Sequence, residues 1–440
     1  MGEEPDPTAT VRRAHAVRAL AVYWPKNDSL IFGLPIVTAP VLAERLPPRL
    51  EEIELPDWAT DLAPERTLPV PAHCVVEGQG PAIDRVDWLG AACWYLNGDA
   101  ERAYEQAHGP IHSYSYKLKG WPRRMWDRAW ANRIALFLRR WAARQSQATE
   151  ADLFGPLPTP QIMITHDVDA VRKTWSIRGK QSLFQVFNSA RRLLAGDLPA
   201  AQTRLARAVR FALSPANYQT FDEVLEMERA AGIVAHFMVY GRAPSSRTGL
   251  LRVLDPDYDV MEDAVASRFR TLAQKGVHVG LHPSFHAWDD SDAIEAERLR
   301  LERACGASVT SCRQHWLKFS WARTWHAQQR AGLTLDMTLG FNDRPGFRNG
   351  AALRFSPWDQ ASGTPVTLES VPLVLMDSQL YDYAEMNDVA RAATIQRVID
   401  EVVDVRGTAS VLWHPHTLSQ DYGWRDGFRL LLHAVSSAQP

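Results

Sequence analysis

Several apolar runs in this 440-residue chain end in groups able to hold a cation or move a proton. The run 161–165 leads into His166-Asp167-Val168-Asp169, and the run 277–281 into His282-Pro283-Ser284-Phe285-His286. Arg313-Gln314-His315-Trp316 follows a third run, Asp336 lies in 333–339, Asp377 follows 371–376, and His414-Pro415-His416 follows 410–413. Aspartates two apart on a strand project to the same side. Histidines four apart, such as His282 and His286, meet across one helical turn and can converge on one ion. A carboxylate with two imidazoles leaves coordination positions open for water and substrate. The remaining carboxylate can act as a base, and His414 is placed to protonate a leaving group. A bound cation lowers the pKa of water from about 15.7 to about 7, which makes hydroxide available at neutral pH. Arg313 is suited to orienting Asp167 or His414. Around this set, His166, His315, Trp316, Asp336, Arg348 and Asp377 are expected to touch substrate or support the ligands. Asp336 and Asp377 could equally cap loops. His166, like His236 and His326, could equally be a packing residue. A single D-x-D or H-x3-H says little, and the weight comes from their joint placement at strand ends.

The elements that must present these groups follow a regular pattern. Gly232, Gly276, Gly306, Gly332 and Gly407 each close an amphipathic stretch and precede a β-type run, as a left-handed helix C-cap before a buried strand would. Thr220 to Glu223 reads as a capping box, and Asn387 precedes a helix reaching to about Arg406. Repeated helix–Gly–strand units imply an α/β fold with a parallel sheet, and their number favours a barrel of the TIM kind, with the same number of strands or fewer, over an open doubly wound sheet. No G-x-G-x-x-G follows the first strand, which disfavours dinucleotide binding. A polar, then Pro- and Gly-rich stretch at 146–160 marks a boundary. Residues 1–155 read as a mixed α+β accessory domain, with helices over 83–105 and 123–144, and 156–440 as the barrel. Within the barrel, 171–219 is a basic helical insertion: between Val171 and Arg210 there are nine Lys or Arg and one acid, Asp197. It reads either as a pair of solvated helices or as an electrostatic lid attracting an anionic substrate.

Composition narrows the function classes. A formal charge of −2 argues against affinity gained by neutralising nucleic-acid phosphates. Four scattered cysteines do not make a disulfide framework or a Cys-rich zinc site. The polar N-terminal stretch lacks the apolar core of a signal peptide, and no apolar run approaches the roughly 18 residues of a membrane span. These features together lead to the expectation of a soluble cytoplasmic protein. Sixteen tryptophans are compatible with a sugar ligand, although aromatics also fill cores.

The ordered motifs resemble the NodB-homology polysaccharide deacetylases, the fourth carbohydrate esterase family, over about residues 160–435. Thr165-His166-Asp167-Val168-Asp169 is similar to the Asp-x-Asp variant of the family's first motif in its divergent bacterial branches. His282-Pro283-Ser284-Phe285-His286 is similar to its His-Ser/Thr-x-x-His, with the serine one place later. Arg313-Gln314-His315-Trp316 meets Arg-x-Pro-Tyr in part, and Leu412-Trp413-His414 matches the closing Leu-x-His. The resemblance implies a distorted (β/α)7 barrel and a divalent metal, zinc first with cobalt, nickel or iron as alternatives. It makes Asp167 the base, Asp169, His282 and His286 the metal ligands, and His414 the acid. The expected activity is metal-dependent removal of an N-acetyl group from an amino sugar, in surface-glycan metabolism. The carbohydrate substrate could be carried on a nucleotide or lipid diphosphate. Hydrolysis of another non-peptide C–N bond, in a cyclic imide or ureide, is the nearest alternative, and a catalytically inactive glycan-binding protein is another.

Overall fold

The computed structural model describes residues 7–40, 43–194, 196–216, 218–243, 254–384 and 386–438. The start of the polar N-terminal stretch, and Ala195 and Asn217 of the basic insertion, lie outside the described residues. Near the N-terminus, β1 (Leu50–Glu54) and β2 (Thr67–Pro71) pair antiparallel. The strands read from the sequence then appear in order: β3 (Gln161–Val168), β4 (His236–Tyr240), β5 (His278–His282), β6 (Ser311–Cys312) and β7 (Leu335–Asp336). After a short pair, β8 (Trp358–Asp359) and β9 (Thr364–Pro365), come β10 (Glu369–Ser370), β11 (Leu373–Met376) and β12 (Thr408–Leu412).

Eight of these strands share one sheet in the order β10-β7-β6-β5-β4-β3-β12-β11. Its edges, β10 and β11, are separated along the chain only by Val371 and Pro372. Three residue steps reach at most about 11 Å, whereas the edges of a flat eight-stranded sheet would stand about 33 Å apart. The sheet must therefore curl, and the fold is the α/β barrel type expected, with one strand more than seven. The added strand is β10, two residues long and therefore invisible to periodicity.

The chain divides into two compact units. The first combines Met1–Met163, Leu317–Val411 and Ser437–Pro440, so residues 1–155 share their unit with 317–411. Its core is aromatic. Trp130, Ile134, Phe137, Leu138 and Trp141 of helix Trp130–Gln145 are buried, and Phe137 stacks on Trp58 at 5.6 Å between ring centroids. The helical reading of 83–105 breaks at Gly98, whose φ of +59° ends helix Trp88–Asn97 and starts Asp99–His108. Buried Arg133 forms a two-pronged pair with Glu401, Nε to Oε1 at 2.8 Å and Nη2 to Oε2 at 2.6 Å. Glu401 sits on helix Asp388–Asp404, capped by Asn387, which accepts from the Ala390 N–H at 2.8 Å.

The second unit, Ile164–Trp316 with Leu412–Ser436, holds the parallel run β3-β4-β5-β6. Asp167 is in register with Met238, Val239 with Leu281, and Leu281 with Cys312, so these strands finish at one end. Helix Phe221–Ala230 begins as expected, but the Thr220 hydroxyl donates to the Pro415 carbonyl at 2.7 Å instead of capping the helix. A tertiary acceptor has outcompeted the local one.

Four of the five glycines that close helices take positive φ, and Gly407 does not. There Arg406 adopts the left-handed conformation, φ +54°. Gly407 is required for a different reason: a Cβ on it would stand 2.6 Å from the Ala352 carbonyl oxygen. The two positions should respond oppositely. Gly407→Ala should destabilise the protein by about 1–3 kcal/mol through backbone displacement, while Arg406→Gly should be neutral or stabilising by up to about 1 kcal/mol, since it relieves left-handed strain. Urea unfolding of both variants checks this, and equal losses would refute it.

Candidate metal centre

All the residues of the centre lie in the second unit. Thr165 and Asp167 alternate along the end of β3, Asp169 is the residue just after it, and the alternation carried one step on sends all three to the same side. His282 is the last residue of β5, Arg313 directly follows β6, and His414 lies two residues past β12. The buried Arg313 ties the first two strands together. Its Nη1 donates to Thr165 Oγ1 at 2.6 Å and to Asp167 Oδ1 at 3.0 Å. Its carbonyl faces His282 Nδ1 at 2.7 Å. A carbonyl can only accept, so Nδ1 carries a hydrogen and Nε2 is the atom turned into the site.

That Nε2 faces Asp169 Oδ1 at 3.3 Å and Asp167 Oδ2 at 3.9 Å. His315 Nε2 lies 4.0 Å from Asp169 Oδ1, and His414 Nε2 lies 3.5 Å from Asp169 Oδ2. Asp169 Oδ1 is buried, and none of these contacts meets hydrogen-bond geometry to it. Among the described residues, Asp169, His282 and His315 bring one ligand atom each within 4.8 Å of one another. Lone-pair atoms converging on a common point are what a cation stabilises. One carboxylate and two imidazoles are a donor set suited to zinc, cobalt, nickel or iron.

The charges support this reading. Burial, the largest influence on Asp169, pushes its carboxyl up, yet His282, His315 and His414 together hold it well below the usual carboxylate range. His282 moves the other way. Burial again acts most strongly and lowers it, but the Asp167 and Asp169 carboxylates and the Arg313 carbonyl leave the imidazole above its ordinary value.

The expected ligand His286 lies outside this group. The expectation assumed a helical turn after β5, whereas the chain there runs through a loop, and His286 is exposed with its ring edge-on to Phe285 at 5.0 Å. Glu297 captures the loop, accepting from the Ser284 N–H at 2.8 Å and the Ser284 hydroxyl at 2.6 Å. Asp255 accepts from the Phe285 N–H at 2.8 Å. Spacing of four converges side chains only on a helix.

His315, expected as a supporting residue, is the second imidazole of the group instead. Its ring stacks on His282 at 4.8 Å, and its Nδ1 lies 3.7 Å from buried Asp255. Trp316 turns the chain there with φ +58° and donates Nε1 to the Leu254 carbonyl at 3.1 Å. Asp255 and Glu297 escaped sequence reasoning. Asp255 lies well past the end of β4 at Tyr240, and Glu297 lies on helix Ser291–Cys305, so no strand-end placement signalled either.

His166 is fully buried between the Trp413 carbonyl, 2.6 Å from Nδ1, and Glu228 Oε1, 2.8 Å from Nε2. It holds the strand end that carries His414. The other supporting residues belong to the first unit and have partners there. Asp336 accepts from Trp325 Nε1 at 3.0 Å, Gln328 Nε2 at 2.8 Å and the Thr338 hydroxyl. Asp377 accepts from the Ser378 N–H at 2.7 Å, and Arg348 pairs with Glu101 and donates to Ser113 Oγ at 2.6 Å. Asp336 is thus held by side chains of helix Thr324–Arg330 and by Thr338, and Asp377 accepts from the backbone that follows it.

No family model and no curated protein matches this chain. Solved structures do. A Mycobacterium smegmatis protein assigned to the polysaccharide deacetylases is 16% identical, with a TM-score of 0.37 over 64% of this chain and 85% of that one. A family 4 carbohydrate esterase from Streptomyces lividans, in complex with acetate, is 11% identical, with a TM-score of 0.28 over 63% and 87%. A family 4 pseudoenzyme from Bacillus anthracis is 11% identical, with a TM-score of 0.27 over 63% and 61%. Such identities and TM-scores assign no chemistry to this chain.

Proposed function

We propose that this protein is a metal-dependent hydrolase that removes an acetyl group from an N-acetylated sugar. The observation that carries the reading is the convergence of Asp169, His282 and His315, with Arg313-held Asp167 on one side and His414 on the other. Asp169, His282 and His315 would hold a divalent cation, zinc first. When bound, the cation acidifies water and polarises an acyl oxygen.

The remaining steps belong to the chain. Asp167 accepts the proton of the attacking water through Oδ2, because Arg313 engages Oδ1. His414 Nε2, at the opposite oxygen of Asp169, donates a proton to the departing nitrogen as the C–N bond breaks. The products are acetate and a free amine, and the proton taken from water balances the one given to nitrogen. The resemblance of the motifs to carbohydrate deacetylases supports an amino-sugar substrate. The anionic carrier is a separate matter. Lys173, at the root of the basic insertion, is spent on a buried pair with Asp421 at 2.6 Å and on the carbonyls of Phe211 and Ser214. Its role is anchoring the insertion.

Acetate release from a panel of acetamido sugars by zinc-loaded protein tests the activity. Asp167→Asn should keep the metal while kcat falls about 10²–10⁴-fold, the usual worth of a general base. Nearly full turnover with metal bound would remove Asp167 from that role.

Ligand identity has its own test. Asp169→Ala and His315→Ala should each weaken zinc binding by more than about 100-fold, beyond the usual effect of losing a supporting contact, whereas His286→Ala should leave it unchanged. Isothermal titration reads this directly. Loss on His286→Ala with retention on His315→Ala would reverse the assignment.

A third expectation concerns pH. Zinc requires His282 Nε2 unprotonated, and the raised His282 value means protons compete from a higher pH than for an ordinary histidine. Affinity should therefore be full above that value and fall as the pH drops through it. Asp167→Asn removes the foremost raising charge, so the fall should begin at a lower pH in that variant. An unmoved midpoint would show that Asp167 does not set it.

A further inference from the structure

The basic insertion is built inside out. Helices Trp175–Leu194 and Leu198–Leu213 form an antiparallel hairpin, with Ser182 Oγ donating to the Ala208 carbonyl at 3.2 Å and Ser189 Oγ to the Ala201 carbonyl at 2.7 Å. Arg204 donates to Gln185 Oε1 at 3.2 Å, and Gln185, Ala201 and Ala208 are buried. Serine, glutamine and alanine thus line the seam. Phe211 is buried at the root of the hairpin, but most of the described large apolar side chains point the other way. Leu183, Phe187 and Leu194 recur along one side of the first helix and are 71%, 60% and 90% exposed. On the second helix Leu198, Leu205, Val209 and Leu213 recur at helical spacing and are also exposed, Leu213 at 78%. A water-facing hairpin would bury these residues and expose the serines.

We infer that this hairpin docks on the surface of an anionic lipid bilayer, with its apolar side chains in the interface and its cations at the headgroups. Charge decides between occupants. Of the nine Lys or Arg set against one acid between Val171 and Arg210, Lys173 and Arg172 pair with Asp421 and Glu262, and the positive excess that remains would repel a second copy of the same hairpin and attract anionic headgroups. Hydroxyl-to-carbonyl bonds between closely apposed small residues are also how helices pack where apolar surroundings supply no driving force between them. Lys180, Arg191 and Arg192 fall within the sequence of the first helix, and Arg204 and Arg207 within that of the second. Among the described residues no helix is long and apolar enough to cross a membrane, so the hairpin lies in the interface and does not span. Its root is firm: Lys173 pairs with buried Asp421, and Arg178 donates to the Ala212 carbonyl. The inference is independent of the reaction proposed above.

The test is flotation of the full chain with vesicles of phosphatidylcholine alone and of phosphatidylcholine with about one-third phosphatidylglycerol, run at low and high salt. Binding should require phosphatidylglycerol, weaken with salt, and fall about tenfold or more in the triple variant Leu183→Ser/Phe187→Ser/Leu194→Ser. These side chains are exposed, so the variant should fold, which its circular dichroism melt confirms. Zinc-loaded activity on a soluble acetamido sugar should not change. Absence of flotation on the anionic vesicles overturns the inference. So does salt-independent flotation that the triple variant leaves unaltered. Light scattering that reveals a dimer, converted to monomer by the same substitutions, would assign the surface to a second copy and overturn it too.

Discussion

The buried guanidinium of Arg313 is the contact on which the centre depends. With no water to share its charge, it must be satisfied by protein acceptors, and the end of β3 supplies them in Thr165 and Asp167. The same residue's carbonyl fixes the tautomer of His282, so one residue sets both the orientation of a carboxylate and the lone pair of an imidazole. Its backbone N–H donates to the Leu281 carbonyl at 3.0 Å, which ties this arrangement to the register of β5 and β6. A parallel sheet brings strand ends together only coarsely. Arg313 refines that placement to hydrogen-bond distances, and losing it would leave a buried carboxylate without its counter-charge, at a cost of about 3–5 kcal/mol.

The second constraint is where the chain goes after His282. Burial pushes Glu297 up to about 7 even though two donors of Ser284 oppose the shift. Those donors, with the Asp255 bond to Phe285, set the path of the loop and leave His286 outside. The imidazole missing from that loop is supplied by the next strand end. There the sequence has His315 followed by Trp316, and the left-handed turn at Trp316 costs roughly 1–2 kcal/mol for a residue with a Cβ. The turn places the His315 ring against His282, and a neighbouring carboxylate, Asp255, lies by its other nitrogen. At 3.7 Å that carboxylate is a neighbouring charge and not a hydrogen-bond partner of the imidazole.

Much of this was legible in the sequence, and the rest was hidden for identifiable reasons. Every long strand of the sheet announced itself as an apolar run, most of them after a helix and a glycine, and the ionisable groups at the ends of β3, β5, β6 and β12 were visible without coordinates. The ligand set was not fully legible. Choosing between His286 and His315 depends on Glu297 and Asp255, which lie outside the motif and act through tertiary hydrogen bonds. Thr220 had a capping sequence, and its hydroxyl went to Pro415 because that carbonyl is brought near by packing. Gly407 looked like its four counterparts and serves a different need, close approach to Ala352. In the insertion, the positive charge could be counted, while the reversal of its apolar and polar sides required knowing which faces meet.

The two aspartates of the Asp-x-Asp stretch show how position divides equivalent chemistry. They have the same side chain and project to the same side of one strand, yet they meet different charges. Asp167 lies deeper, against a permanent guanidinium, which compensates it at every pH of interest and leaves one oxygen facing His282. Asp169 lies at the mouth among three imidazoles whose charge depends on protonation or on a cation. Neutral imidazoles offer lone pairs to a metal and no counter-charge to the carboxylate, so a bound cation compensates Asp169 better than neutral histidines can. In the proposed reaction, the same step in the chain that moves a carboxylate from Arg313 to the histidines therefore moves it from proton acceptor to metal ligand. Exchanging the two environments would exchange the roles, because the strand treats the aspartates alike and only their neighbours distinguish them.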